Sequence, residues 1–130
     1  MERSVAGILI HQGKAFIAKR GPSGSFKGRW EFPGGKVEPG ESDQDAIARE
    51  FVEEFGVEAR ALRFLGESVF PHRGLDRVLA AWLIEFTPFK KPKLFEHEEI
   101  AWANASELEE LELVDSDRKL LPYILPLMAK

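Results

Sequence analysis

The sequence predicts a fold of the mixed α/β (α+β) class, in which helices pack on a mixed β-sheet. Short apolar runs separated by turn residues lie in the N-terminal third and in the middle of the 130-residue chain, as expected for strands. A capped amphipathic segment over residues 42–55 predicts a helix between them. Apolar residues at helical spacing near the end of the chain predict a final helix.

The expected strands are separated by turn and loop residues. Apolar residues 5–10 and 15–18 flank a turn at residues 11–14, which predicts a β-hairpin. A loop rich in Gly, Ser and Pro follows over residues 21–28. The later expected elements are strands at 59–70, 78–86 and 100–102, a turn at 72–74, a loop at 87–93, a short helix from a Ser106 cap through Leu111, and a final helix that starts late or kinks at Pro122.

The helix over residues 42–55 has the clearest limits. Ser42 is a suitable N-cap, Asp45 three residues later resembles a capping box, and Gly56 stands where a glycine commonly ends a helix. Placing successive residues about 100° apart separates a core face from a charged face. We expect the core face to contain Ile47, Ala48, Phe51, Val52 and Phe55, and the opposite face Ala46, Arg49, Glu50, Glu53 and Glu54.

The composition indicates one globular domain over residues 1–130, with 44% hydrophobic and 31% charged residues. The sequence has neither an apolar run of membrane-spanning length nor a signal-peptide pattern, so we expect a cytoplasmic protein without a membrane partner. It has no cysteine, which excludes disulfides, zinc–thiolate sites and cysteine nucleophiles. The net charge of -4 argues against duplex nucleic acid as the main partner. Monomer and homodimer both remain open.

Three carboxylates share the charged face of the helix, because Glu50, Glu53 and Glu54 stand at relative positions i, i+3 and i+4. Like charges at this spacing cost roughly 0.2–0.5 kcal/mol per pair in an isolated helix. Only Arg49 opposes them on that face. Either a hard divalent cation balances the glutamates, or the face is ordinary solvated surface. The glycine-rich segment 33–40 fits a backbone that approaches a ligand, and it fits plain turns as well.

One segment matches a known family motif at every constrained position. Gly35 is followed after five residues by Glu41 and after seven more by Arg49-Glu50; an aromatic residue, Glu53-Glu54 and Gly56-Val57 complete it. The segment resembles the Nudix box. Similarity to MutT-type members of that family extends to residues 16–20, 30–36, 96–102 and 117–118.

The resemblance implies a Nudix α/β/α sandwich with a mixed β-sheet between helices, and a hydrolase that requires Mg²⁺ or Mn²⁺. Arg49 would orient a glutamate of the box, and Glu41 would support the site from its edge. Glu96 would be a metal ligand or the base that activates water, with Glu98 and Glu99 as close alternatives. The implied catalytic residues are Glu41, Arg49, Glu53 and Glu96, and the implied metal ligands are Glu50, Glu53, Glu54, Glu96 and the backbone carbonyl of Gly35.

Three residues outside the box are candidates for substrate binding, each with a structural alternative. Arg20 binds a phosphate or a base edge, or is an exposed arginine at a strand end. Phe32 lines a base pocket or belongs to the core. Asp117 reads the base by hydrogen bonds or caps the final helix. His72 and His97 are expected to lie in loops and to serve neither as ligands nor as bases.

The resemblance implies hydrolysis of a nucleoside di- or triphosphate, with a triphosphate giving the monophosphate and pyrophosphate. The base is unmodified, as in CTP or dCTP, or oxidised, as in 8-oxo-dGTP. One alternative is removal of pyrophosphate from RNA 5′ ends, which the negative net charge disfavours. Another is nucleotide binding without turnover, which the intact box disfavours.

Overall fold

The computed structural model describes residues 2–22, 27–86 and 92–128. Residues 23–26 and 87–91, inside the predicted loops at 21–28 and 87–93, lie outside this description. No helix among the described residues is long and apolar enough to cross a membrane. The strands are β1 (Glu2–Ile8), β2 (Ile10–His11), β3 (Lys14–Arg20), β4 (Trp30–Glu31), β5 (Gly34–Lys36), β6 (Ala59–His72), β7 (Leu75–Phe86) and β8 (His97–Ala103), and the helices are α1 (Asp43–Phe55), α2 (Ala105–Glu110), α3 (Asp115–Arg118) and α4 (Leu121–Met128).

The described strands form two sheets, and the predicted mixed class is confirmed. The first sheet has the order β5-β1-β7-β6. Strand β1 is parallel to β7, whereas the other neighbours in this sheet are antiparallel. In the second sheet, β3 pairs antiparallel with β2, β4 and β8. The parallel β1–β7 pair explains why long stretches of chain separate neighbouring strands.

The predicted N-terminal hairpin is only partly correct. Strand β1 belongs to the first sheet, and only the two-residue β2 pairs with β3. The chain changes sheets at Leu9, whose carbonyl accepts a hydrogen bond from the Phe16 amide at 2.9 Å. The hairpin turn is Gln12-Gly13, with φ values of 53° and 76° that suit a two-residue type I′ turn.

The second hairpin extends beyond its predicted strands. Strands β6 and β7 continue to a tight turn at Arg73-Gly74, where both residues have positive φ. Strand β8 begins at His97, three residues before the predicted strand at 100–102. The extension of β8 brings His97 out of its expected loop and into the sheet.

Helix α1 is confirmed at both ends. The Ser42 hydroxyl oxygen accepts a hydrogen bond from the Asp45 amide at 3.1 Å, and Gly56 ends the helix in the left-handed conformation. Asp43 in the first turn accepts two hydrogen bonds from Arg3 of β1 and one from the Trp82 indole of β7. These bonds fix the start of α1 to the central strands of the first sheet.

The predicted core face of α1 is wrong at two positions. Ala48 is exposed and Val52 is 52% exposed, whereas Ala46 and Glu54 are buried. The buried arc is centred near Glu54 rather than near Phe51. The reason is tertiary, because α1 also faces the second sheet, where a polar cluster receives the Glu54 carboxyl.

The helices after β8 differ from the prediction in two respects: the short helix α3 (Asp115–Arg118) was not expected, and α2 has a different cap. Asn104, not Ser106, caps α2, because it forms a reciprocal capping box with Glu107. Helix α4 starts at Leu121 with Pro122 in its first turn, so the predicted late start is confirmed.

Helices cover both faces of the sheets, and alternate strand residues point to opposite sides. One core cluster joins Phe16 and Ala18 of β3 to α1, and the other joins Ala15 and Ile17 to the C-terminal helices. The sandwich places the C-terminal end of α1 beside the end of β3 and the start of β8. The candidate site forms at this junction.

Candidate active site

Arg49 is the centre of a hydrogen-bond network on α1. Its guanidinium donates to both carboxylate oxygens of Glu41 at 2.8 and 2.9 Å, to Glu50 at 2.9 Å and to the Lys36 carbonyl at 2.8 Å. A longer contact of 3.5 Å reaches Glu53. The surrounding carboxylates raise the pKa of Arg49, chiefly through the Glu41 bond. The planar guanidinium thereby ties the loop before α1 to the acidic face of the helix.

Glu41 closes this network from the loop. Its carboxylate also accepts a hydrogen bond from the Glu38 amide at 3.0 Å. The bond from Arg49, followed by the bond from the Glu38 amide, lowers the pKa of Glu41 to about 2. Glu41 is therefore held as an anion beside Arg49.

Two adjacent glycines of β5 bring backbone against other groups. A side chain on Gly34 would overlap the backbone carbonyl of Val5 in β1. A side chain on Gly35 would overlap the carboxylate of Glu50. The backbone of Gly35 and the Glu50 carboxylate therefore lie close together, and only glycine leaves room for both.

Glu54 is a buried carboxyl with only 5% of its surface exposed. Burial raises its pKa to about 10, and the neighbouring carboxylates of Glu50, Glu31 and Glu96 add to the shift. Its Oε1 atom has no hydrogen-bond partner among the described residues. An unpaired carboxyl oxygen in an acidic neighbourhood is a suitable place for a positive ion.

Glu31 and His97 belong to the same cluster, although sequence reasoning assigned neither a role. Glu31 accepts a hydrogen bond from Arg20 at 2.9 Å, and its second oxygen lies 2.7 Å from Nε2 of His97. Glu31 was part of the lead-in to the box, but nothing local indicated where its side chain points. His97 was expected in a loop, and the early start of β8 overturns that expectation.

The three candidate glutamates at the start of β8 have different surroundings. Glu96 lines a cavity of about 270 Å³ together with Arg20 and Glu54. Glu98 instead forms an ion pair with Lys19 at 3.5 Å. Glu99 is exposed and is the strand-pairing partner of Lys19 in β3. Among the three, Glu96 is the one that lines the cavity beside Glu54.

A second cavity of about 200 Å³ adjoins the first and contains the three predicted substrate-binding residues. Arg20 lines both cavities. Phe32 is 2% exposed and packs in the core, as one alternative predicted, and it also lines this cavity. Lys36 also lines this cavity, and its Nζ lies 3.4 Å from Glu2.

Asp117 lies in the floor of this second cavity and is 4% exposed. Its carboxyl accepts hydrogen bonds from the Phe32 amide at 2.8 Å and from the Ser116 hydroxyl at 3.2 Å. Burial raises its pKa to about 8, with a further contribution from Glu31. The first bond reaches Phe32, just after β4, and the second stays within α3, so both carboxyl oxygens of Asp117 are bonded away from the start of the final helix.

The donor set around Glu54 fits a hard divalent cation. It consists of carboxylate and carbonyl oxygens, which Mg²⁺ and Mn²⁺ prefer. The unpaired Oε1 of Glu54 and the close approach of Gly35 to Glu50 both leave oxygens available on one side of α1. Within the described residues, no three His, Asp or Glu side chains already converge on one point. A cation held there would therefore draw Glu53 away from its long contact with Arg49.

Sequence comparison identifies the class to which this fold and site belong. A family model for the NUDIX domain matches residues 1–124. The chain belongs to the Nudix family, and it is a hydrolase of nucleotide phosphoanhydride bonds. Members of this family generally use divalent metal ions.

The chain is similar in sequence to two named enzymes. The chain is 34% identical to the CTP pyrophosphohydrolase of Escherichia coli over 131 aligned positions, which cover 96% of this chain and 92% of the relative. It is 32% identical to the 8-oxo-dGTP diphosphatase of the same species over 87 positions, which cover 65% of this chain and 66% of the relative.

Solved structures agree with the fold. The solution structure of the Escherichia coli ORF135 protein matches with a TM-score of 0.87 at 33% identity, covering 99% of this chain and 91% of the other. The crystal structure of the MutT protein from Methanosarcina mazei matches with a TM-score of 0.86 at 23% identity, covering 99% and 96%. The predicted Nudix α/β/α sandwich is therefore confirmed.

Proposed function

We propose that this protein hydrolyses nucleoside triphosphates to the monophosphate and pyrophosphate with the help of Mg²⁺. The observation that carries the proposal is the acidic wall around Glu54, which adjoins a cavity lined by Arg20, Lys36 and Asp117. The relatives named for CTP and 8-oxo-dGTP support a triphosphate substrate.

We propose that Glu50, Glu53, Glu54, Glu96 and the Gly35 carbonyl hold the cation. A bound divalent cation neutralises phosphate charge and makes a coordinated water more acidic. The Glu50 side chain is 15% exposed and Glu54 presents a buried oxygen, whereas Glu53 is half-exposed and must turn from Arg49 toward the site. Arg49 keeps Glu41 and Glu50 fixed while this happens.

The protein's own side chains handle the proton and the phosphates. The oxygen of water forms a bond to an inner phosphorus, and the phosphoanhydride P–O bond breaks, so that pyrophosphate leaves. Glu96 takes the proton of the attacking water, because its carboxylate borders the cavity and is exposed enough to exchange that proton with solvent. Arg20 and Lys36 bind the non-bridging phosphate oxygens.

Asp117 is the proposed reader of the base. A buried carboxyl that keeps its proton offers an O–H donor next to an acceptor oxygen. Cytosine presents an amino donor beside a ring acceptor on one edge, which matches this pair. An oxidised guanine also presents adjacent donors and acceptors, so CTP, dCTP and 8-oxo-dGTP are the proposed candidates.

A substrate panel tests the proposal. The protein with Mg²⁺ is incubated with CTP, dCTP, GTP, 8-oxo-dGTP, nucleoside diphosphates and 5′-triphosphorylated RNA, and pyrophosphate and phosphate are measured separately. We expect pyrophosphate and a monophosphate from at least one nucleoside triphosphate. Turnover confined to RNA, or tight nucleotide binding without turnover, would refute the proposal.

A variant tests the metal assignment on the same substrate. Glu53→Gln should lower kcat by orders of magnitude while the circular dichroism spectrum is unchanged. Glu58→Gln, an exposed glutamate just beyond α1, is the matched control and should keep full activity. Equal kcat values for Glu53→Gln and Glu58→Gln would show that Glu53 is not a ligand.

A further inference from the structure

His97 reaches the candidate site because of an irregularity in β8. Between β3 and β8, Lys19 pairs with Glu99 but Arg20 pairs with His97. Glu98 is therefore an extra residue of β8 that has no strand-pairing partner in β3. Regular alternation would place His97 with Ala101 and Ala103, which pack on the side of the C-terminal helices. The bulge instead turns its ring toward α1. Bulges beside functional sites commonly re-aim a side chain in this way.

The ring of His97 is held in one orientation by packing. It stacks on the Phe55 ring of α1 with the centroids 5.2 Å apart and the planes 11° from parallel. Its side chain is only 6% exposed. A buried imidazole fixed by stacking has little freedom to turn, so the directions of its two nitrogen atoms are set by the fold.

The Nε2 atom of His97 contacts Glu31. It lies 2.7 Å from Oε2 of Glu31, while the other oxygen of Glu31 accepts the bond from Arg20. Because Glu31 already accepts from Arg20, we assign the hydrogen of the short contact to His97. Glu31 in turn lines both cavities.

The Nδ1 atom of His97 points to the acidic face of α1. It lies 3.9 Å from Oε1 of Glu54. These two atoms are both buried and both without a hydrogen-bond partner among the described residues. Two unsatisfied polar atoms that face each other inside a protein are rare, since each costs about 1–3 kcal/mol when left unpaired. A shift of about 1 Å would bring them to hydrogen-bond distance.

We propose that His97 is a positioning residue that links the two walls of the site, donating a hydrogen bond to Glu31 through Nε2 and sharing one with the Glu54 carboxyl through Nδ1. The inference rests on the proposed function, because Glu54 is a proposed metal ligand. Partners behind metal ligands orient them, and their loss typically lowers metal affinity or activity by about 10- to 100-fold. His97 would thus couple the nucleotide cavity to the metal face of α1.

Three substitutions separate the two contacts. His97→Phe keeps the stack on Phe55 and removes both nitrogens. His97→Asn keeps a hydrogen-bonding group near the place of Nδ1, and His97→Gln keeps a donor near the place of Nε2. His11→Phe is the matched control. His11 is an exposed histidine of β2, and it pairs with Lys14 at the end of β3 opposite to Arg20. Each variant is compared with the wild type by circular dichroism, by Mn²⁺ binding without nucleotide and by steady-state kinetics.

The expected results differ between the variants. His97→Phe should raise the Kd for Mn²⁺ by about 10- to 100-fold and lower kcat. His97→Asn should restore most of the Mn²⁺ affinity. His97→Gln should bind Mn²⁺ as weakly as His97→Phe but keep a KM near that of the wild type. A folded His97→Phe with Kd and kcat within twofold of the wild type would overturn the proposal, as would equal behaviour of the Asn and Gln variants.

A measurement on metal-free protein separates this inference from the proposed function. In wild-type protein, NMR should show a solvent-protected Nε2–H proton for His97, and Glu31→Ala should abolish that signal. A wild type that binds no Mn²⁺ and hydrolyses no triphosphate would refute the proposed function. Absence of the protected proton would refute the His97 link, whatever the catalytic result.

Discussion

The buried carboxyl of Asp117 should make the stability of this protein fall as pH rises. Burial raises the pKa of Asp117 to about 8, and the nearby Glu31 carboxylate adds to that effect. The Phe32 amide, the Ser116 hydroxyl and Arg20 act in the opposite direction. In the unfolded chain the same carboxyl titrates in its ordinary range, at about 4.

The sign and size follow from proton linkage. Between about pH 4 and pH 8, the folded state holds a proton on Asp117 that the unfolded state has released. The free energy of unfolding therefore decreases across this interval, by at most about 1.4 kcal/mol for each pH unit from this one group. Below about pH 4 both states hold the proton, and above about pH 8 neither does, so the contribution is constant in those ranges.

Asp117→Asn isolates this contribution. The amide has nearly the same shape, its oxygen can accept the Phe32 bond, and its nitrogen can donate to the Ser116 hydroxyl. Urea unfolding of the wild type and the variant is measured from pH 5 to pH 9. We expect the variant to gain stability relative to the wild type as pH rises to about 8.

The control is Asp76→Asn, which changes an exposed carboxylate of β7. The difference in the free energy of unfolding between Asp76→Asn and the wild type should be constant above pH 5. If the curves of Asp117→Asn and the wild type ran parallel from pH 5 to pH 8, Asp117 would be ionised in the folded protein. The proposed donor for base reading would then be absent as well.

Two further predictions concern the box. Arg49→Lys should lower kcat by about 10- to 100-fold without unfolding the protein, because one ammonium group cannot reproduce the bonds to Glu41, Glu50 and the Lys36 carbonyl. A kcat within twofold of the wild-type value would contradict this prediction. Gly34→Ala should prevent folding, because its side chain would meet the backbone of β1. Gly35→Ala should fold with a normal melting temperature but bind Mn²⁺ weakly, because its side chain displaces only the Glu50 carboxylate. Equal thermal stability of the two alanine variants would refute this distinction.

Local signals account for the parts of the structure that could be predicted. The cap at Ser42 and the glycine at Gly56 fix α1 by contacts within a few residues, and both ends are confirmed. The turn glycines similarly locate the two hairpins. Positions that depend on distant strands were harder to predict. Strand β1 joins β7 rather than completing the first hairpin, and no local residue encodes that choice.

The site shows the same division between local and long-range information. The grouping of Arg49, Glu50, Glu53 and Glu54 on one helix face could be predicted, because these residues lie close together in the sequence. Glu31 and His97 are 66 residues apart and meet only through the pairing of β4 and β8 with β3. The bulge at Glu98 has no sequence signal that we recognise, and without it the ring of His97 would face away from α1.

The position of Glu54 explains why a helical wheel misjudged α1. A wheel ranks faces by apolarity and so assigned Val52 to the core in place of a charged residue. The fold buries Glu54 beside other carboxylates, an arrangement that costs stability unless a cation or proton compensates it. Natural proteins break such local rules mainly at functional sites. The error in the wheel thus points to the same carboxyl group as the chemistry does, and it does so without reference to the family motif.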